Sequence, residues 1–229
     1  MTVEFRNVTL RYHYDDFDVL TDVNFTLREG VNTILCDIQS GKGTICKLIL
    51  GNLAPNSGQV LIDGREAVKL AKKETSALYL SDKPTFFENK SVLYNLQYPC
   101  RVRKTLKQNA ENLTRLADEF GLTDLLSQKV KTLTYVQKLK LSLARGLSVT
   151  RDIVLFDGFF DDTKLADTPQ LSMENLLPKF QGVTVVLTNR AELSTGNTVV
   201  MDGGKCVFEG DSETAKQTVA NLAWLADKI

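Results

Sequence analysis

The residues best suited to chemistry lie in one short run, Cys36-Asp-Ile-Gln-Ser40-Gly41-Lys42-Gly43-Thr44. A phosphate-binding loop has the form G-x-x-x-x-G-K-[ST]. Its backbone N–H groups wrap the phosphates, its lysine reaches the β and γ oxygens, and its hydroxyl binds Mg²⁺. Gly41 and Lys42 fit that form. Cys36 stands at the first glycine and Gly43 at the metal-binding hydroxyl. Taken alone, the fragment reads equally well as a surface Gly-Lys turn. Other reactive groups are sparse. His13 is the only histidine, and Cys36, Cys46, Cys100 and Cys206 have no paired spacing for zinc or redox chemistry.

A phosphate loop needs a strand before it and a helix after it. Asn32–Cys36 reads as a short buried strand, and an apolar helix is predicted from Ile45 to Leu50. Upstream, Val3, Phe5, Val8, Leu10 and Tyr12 alternate as a strand does. A second strand follows over Val19–Leu27, with Glu29-Gly30 closing the pair. Residues 57–64 read as a strand between glycine turns, and the pattern from Ser91 to Leu147 is helical. Leu106, Leu113, Leu116 and Phe120 recur at helical steps, with Gly121 placed to end that helix. Ile153–Asp157 and Val183–Leu187 are continuous β-branched runs, as strands buried on both faces of a parallel sheet require. A hairpin turning at Gly203-Gly204 and a last helix over Ser212–Lys228 complete the chain.

Composition narrows the function classes. The chain has 229 residues, enough for one α/β domain. Lys+Arg and Asp+Glu are both 28, so no net field draws nucleic acid or anionic lipid. The opening Met1–Arg6 lacks a signal-peptide pattern, and no apolar run approaches the ~20 residues of a membrane helix. The expectation is a cytoplasmic protein that meets a membrane only through partners.

From end to end the chain resembles the ATP-binding subunit of an ABC transporter. Phe5-Arg-Asn-Val8-Thr-Leu-Arg-Tyr12 is similar to the family's opening, whose aromatic stacks on adenine. Gly51, Ser57-Gly58 and Asp63-Gly64 resemble the sequence after the phosphate loop. Pro84–Phe87 and Val92–Leu96 resemble the Q-loop flank and the start of the helical subdomain. Leu143-Ala144-Arg145 and Leu147 resemble the helix after the signature, Ile153–Asp157 resembles Walker B, and Val199–Gly210 resembles the closing hairpin. The resemblance implies an α/β P-loop NTPase fold of the ABC-ATPase type. It would have a mainly parallel sheet core, an N-terminal antiparallel β region and a helical subdomain at 89–149, within one nucleotide-binding domain over 1–229.

The functional positions depart from the family. The signature L-S-G-G-Q reads Leu133-Thr134-Tyr135-Val136-Gln137, which puts bulk where backbone should approach a γ-phosphate. Asp157 keeps the Walker B carboxylate, a weak metal ligand. The following glutamate, which orients water in the family, is Gly158, and the switch histidine is Asn189. The Q-loop glutamine falls on Asp82 and the D-loop aspartate on Lys164, with Asp161 and Asp162 close by. Losing one oriented group commonly costs about 10²–10⁴ in rate. Several losses at once predict a pseudo-ATPase that acts with transmembrane transporter subunits, a second ABC ATPase chain or a second copy of itself. Against this stand an active ATPase using unusual residues and a regulatory scaffold outside transport. For ATP, two readings are open. Tyr12, Ser40, Gly41, Lys42, Gly43 and Thr44 hold a nucleotide weakly and with little dependence on Mg²⁺. Alternatively the loop is closed, with Lys42 paired to Asp37 or another carboxylate.

Overall fold

The computed structural model describes residues 1–13, 16–37, 41–70, 77–162, 168–220 and 222. In chain order the principal elements begin with β1 (Thr2–Leu10), β2 (Leu20–Arg28), β3 (Gly30–Cys36), α1 (Lys42–Ile49), β4 (Ser57–Ile62), β5 (Arg65–Glu66), α2 (Ala67–Leu70) and β6 (Ala77–Ser81). Then come α3 (Val92–Val102), α4 (Ala110–Glu119), α5 (Tyr135–Leu147), β7 (Ile153–Asp157) and α6 (Met173–Leu176). The chain continues through β8 (Val183–Thr188), β9 (Asn197–Asp202), β10 (Lys205–Asp211) and α7 (Ser212–Ala220). The predicted last helix is described only to Ala220, and Ser40 and Lys164 lie outside the described residues.

The chain divides into two compact units. The first comprises Met1–Tyr79, Asp152–Asp161 and Gln181–Ile229, and the second Leu80–Arg151 and Asp162–Phe180. Residues 89–149 fall within the second. Among the described residues two sheets are formed, ordered β2-β1-β4-β5 and β10-β9-β3-β8-β7-β6. The smaller is antiparallel. In the larger, β3 pairs parallel with β8 and β9, β7 pairs parallel with β8, and β10 closes antiparallel on β9. This is the mainly parallel sheet with an antiparallel β region expected from the sequence.

The antiparallel sheet also explains a break in the N-terminal alternation. Val3 and Phe5 are buried, and so are Val8 and Leu10, although the two pairs are out of phase by one residue. A period-two pattern cannot keep both pairs on one face unless an extra residue is inserted. Register shifts between Phe5 and Val8 and between Val8 and Leu10 supply the correction, with Asn7 at φ 49° and Asp22 at φ 48°. Asn and Asp tolerate this left-handed conformation better than other side chains. The Asn7 Nδ2 donates to Asp22 Oδ1 at 2.9 Å. Both halves of β1 thereby bury their apolar residues beside Val23, Phe25 and Leu27.

Strands β7 and β8 are buried almost throughout, as their unbroken apolar sequence requires. Register sets Leu35 against Thr188 and Asp157 against Leu187, so β3, β8 and β7 end together at their carboxyl edges. Ligand sites of open α/β sheets form at that edge.

In the second unit the helical stretch of 91–147 is three helices rather than one run. Ser91 caps α3 through Tyr94 N, and Gly121 at φ 63° follows α4. Buried Asn95 bonds the backbone of Phe87 and Ser91 and fixes the approach to α3. Thr134 starts α5 with a reciprocal cap: Gln137 N donates to its hydroxyl at 3.3 Å, and Thr134 N donates to Gln137 Oε1 at 2.9 Å. Such a cap contributes about 1 kcal/mol.

Candidate functional site

The carboxyl edge of the parallel sheet carries the predicted phosphate loop. Gly41 adopts φ 81° just before α1, a conformation glycine takes without steric cost. Helix α1 begins at Lys42, and its first intrahelical bond runs from Ile45 N to Gly41 O at 2.9 Å. The N–H groups of Lys42, Gly43 and Thr44 therefore have no intrahelical acceptor and form the positive end of the helix. A Cβ on Gly43 would meet nothing within 4 Å, so space is open there. At the end of β3, Cys36 is fully buried. Burial pushes its thiol up to about 12 against the smaller opposing pull of the Lys42 ammonium. Cys36 is a neutral packing residue.

Four side chains expected to meet phosphate, metal or base, those of Lys42, Asp157, Tyr12 and Thr44, are engaged within the chain. Lys42 Nζ lies 3.5 Å from Asp161 Oδ2. Lys42 is thus paired with a carboxylate, that of Asp161. The other Asp161 oxygen accepts a very short hydrogen bond from the Thr188 hydroxyl at the end of β8. Arg190 Nη1 donates to the Asp161 carbonyl at 3.3 Å, and Arg190 N donates to Thr188 Oγ1 at 3.0 Å. Asp157 Oδ2 accepts from the Tyr79 hydroxyl at 2.6 Å. The Tyr12 hydroxyl lies 3.0 Å from Thr44 Oγ1, and Lys47 Nζ sits 5.5 Å from the centre of the Tyr12 ring. An ammonium at that distance is attracted to the ring face, the surface on which a base would stack.

Gly158 has φ 61°, and its N–H donates to Leu187 O at 2.9 Å. A Cβ there would stand 3.4 Å from Asp161 Oδ2 and 3.7 Å from Lys42 Nζ. Asn189, at the histidine position, follows β8 and is half-buried. The edge thus assembles Lys42, Thr44, Asp157, Gly158, Asp161 and Asn189 around one sheet terminus, together with two partners that sequence reading missed, Tyr79 and Thr188. For Tyr79 no sequence signal existed, because the place of β6 beside β7 follows only from strand order. Nothing local marked Thr188 as an Asp161 donor. Among the described residues no group of three or more His, Cys, Asp or Glu side chains could hold a metal.

The signature segment belongs to the second unit. Leu133 is buried, Thr134 caps α5, and Tyr135 and Val136 open its first turn. Tyr135 is 41% exposed, and its phenol is pushed up from the usual value, first by burial and then by the Asp162 and Asp82 carboxylates. It presents a neutral aromatic in the first turn of α5.

Comparison with known proteins agrees with this architecture. A molybdate/tungstate import ATP-binding protein, WtpC of Pyrococcus horikoshii, is 26% identical over 199 residues, covering 84% of this chain and 58% of that protein. A spermidine/putrescine import ATP-binding protein, PotA of Mycoplasma mycoides, is 28% identical across 99% of this chain and 66% of its own length. The chain spans between 42% and 66% of the curated relatives it matches. A solved structure described as the ATP binding subunit of an ABC transporter superposes with a TM-score of 0.78 at 18% identity, covering 96% of this chain and 94% of that one. That likeness bears on the fold. The family model for ABC transporter matches residues 20–160, more than half of the 229 residues. The chain belongs to the ABC transporter family.

Proposed function

We propose that this chain is an ATP-binding subunit of an ABC importer in degenerate form, one that holds nucleotide weakly and does not hydrolyse it. The observation that carries the reading is the engagement of Lys42 by Asp161 and of Asp157 by Tyr79, beside a glycine at position 158. Relatives named for import of molybdate or tungstate and of spermidine or putrescine support an import role. No substrate follows, because membrane subunits would choose it.

The residues fit a nucleotide in part. Gly41 and the first turn of α1 suit phosphate, and Lys42 supplies a cation. ATP brings the polyphosphate that these groups neutralise. The fit to Mg²⁺ is poor: Gly43 offers no hydroxyl, and one oxygen of Asp157 is taken by Tyr79. Binding is therefore weak and little dependent on Mg²⁺. We place the whole chain, 1–229, in one nucleotide-binding domain with its helical subdomain at 89–149.

No helix among the described residues is long and apolar enough to cross a membrane. The proposed location is the cytoplasmic face of membrane subunits, reached through the surface near Asp82–Asn95, with a second ABC ATPase chain or a second copy as dimer partner. With an intact partner, hydrolysis takes place on the partner's phosphate loop. A tagged chain purified from mildly solubilised membranes is expected to bring a polytopic membrane protein with it. Hydrolysis by that assembly should disappear when the partner's Walker B glutamate is changed to glutamine. A chain that purifies only with water-soluble proteins would place it outside transport.

A further inference from the structure

Asp161 is built into the site more firmly than a loop carboxylate needs to be. Its N–H donates to Gly158 O at 3.1 Å, its carbonyl accepts from Arg190, and its Oδ1 accepts from the Thr188 hydroxyl. Those contacts fix it against the ends of both β7 and β8, and the remaining oxygen, Oδ2, faces Lys42 Nζ at 3.5 Å. The pair is well shielded, with side-chain exposures of 20% for Lys42 and 23% for Asp161. The ammonium of a phosphate-loop lysine is the group that reaches the outer phosphates. The place of the family glutamate borders the same point, since a Cβ on Gly158 would be 3.4 Å from Asp161 Oδ2.

We propose that Asp161 determines which nucleotide the pocket accepts. Its carboxylate takes the place beside Lys42 that a third phosphate needs, so the site prefers a nucleoside diphosphate to a triphosphate. The proposal rests on the nucleotide-binding reading above. The first turn of α1 lies apart from this contact. Its N–H groups precede the first helical bond, and open space adjoins Gly43, so the inner phosphates keep their donors. The third phosphate instead meets a like charge held in place on three sides, and can gain Lys42 only by displacing it. Asp161 is also poorly set up as a substitute base for the missing glutamate, because both its oxygens already have donors.

The test is calorimetric titration of the full chain with ADP and with ATP, in EDTA so that hydrolysis cannot intervene. The same titrations are run on Asp161→Asn, which removes the charge and keeps the shape, on Asp161→Ser, and on Lys42→Ala. The parent is expected to bind ADP at least about tenfold more tightly than ATP, the factor of one charged hydrogen bond. Asp161→Asn should raise ATP affinity by about tenfold or more and change ADP affinity much less, and Asp161→Ser should do the same if the amide disturbs local packing. Equal affinities in the parent would overturn the role of Asp161, as would a ratio unmoved in both variants. Provided Lys42→Ala bound nucleotide more weakly than the parent, the nucleotide-binding reading would survive that result. Failure of the parent and both Asp161 variants to bind either nucleotide would overturn both.

Discussion

Restoring the family carboxylate by Gly158→Glu is expected to leave hydrolysis at background and to destabilise the chain. From sequence alone the substitution looks like a repair, and replacing one missing oriented base would be worth about 10²–10⁴ in rate. The geometry opposes it. Gly158 has φ 61°, where a side chain costs about 1–2 kcal/mol. The new Cβ would arrive 3.4 Å from Asp161 Oδ2, and a second carboxylate would then crowd the single ammonium of Lys42. Strain and like-charge repulsion together should lower stability by about 1–3 kcal/mol. Chemical denaturation and a phosphate-release assay on the same preparation read both halves. A hundredfold gain in turnover would refute the prediction.

A large stability loss is expected at Gly196→Ala. Gly196 has φ 67° and immediately precedes β9, whose register with β3 begins at the Asn32–Asn197 pair. A Cβ at Gly196 would lie 2.0 Å from the Val31 carbonyl oxygen, and backbone cannot yield as a flexible side chain can. The methyl group must force β9 away from β3, the strand that leads to the phosphate loop. Left-handed strain of about 1–2 kcal/mol and overpacking of about 1–3 kcal/mol give a loss of roughly 2–5 kcal/mol. Each kcal/mol lowers Tm by about 2–4 °C in a chain of this size. Gly203→Ala is the control, with φ 51° and nothing within 4 Å of the added carbon, so it should lose only the conformational part. Equal melting temperatures for the two variants would mean that the approach to Val31 relaxes without cost.

The fold was legible because its cues are local. Asn32–Cys36 followed by Gly41-Lys42 announced a strand, a loop and a helix. The unbroken apolar runs ending at Asp157 and Leu187 announced buried parallel strands, and Gly203-Gly204 marked the final hairpin. The shift in phase between Phe5 and Val8 reads in sequence as plain alternation, and only pairing with β2 identifies it as a bulge. The site was half legible. Local sequence locates Lys42, Asp157, Gly158 and Asn189, but it cannot choose their partners. Lys42 and Asp161 are 119 residues apart, and Tyr79 and Asp157 are 78 apart. Those pairings depend on strand order, which brings distant segments to one edge. Thr134 and Gln137 gave the converse difficulty. Read as remnants of a signature, they form a helix cap that α5 needs whatever its function.

On the function proposed above, the fold of an ATP-binding subunit persists here without its chemistry. Steady-state phosphate release by the purified chain, with saturating ATP and Mg²⁺ and with Lys42→Ala alongside, tests it most directly. Turnover is expected to be indistinguishable from that of the Lys42→Ala chain and far below the ~1 s⁻¹ at the slow end of working enzymes. Turnover of about 1 s⁻¹ or more that Lys42→Ala abolishes would contradict that reading, and would mean that the chain hydrolyses ATP with a glycine at position 158 and an asparagine at position 189.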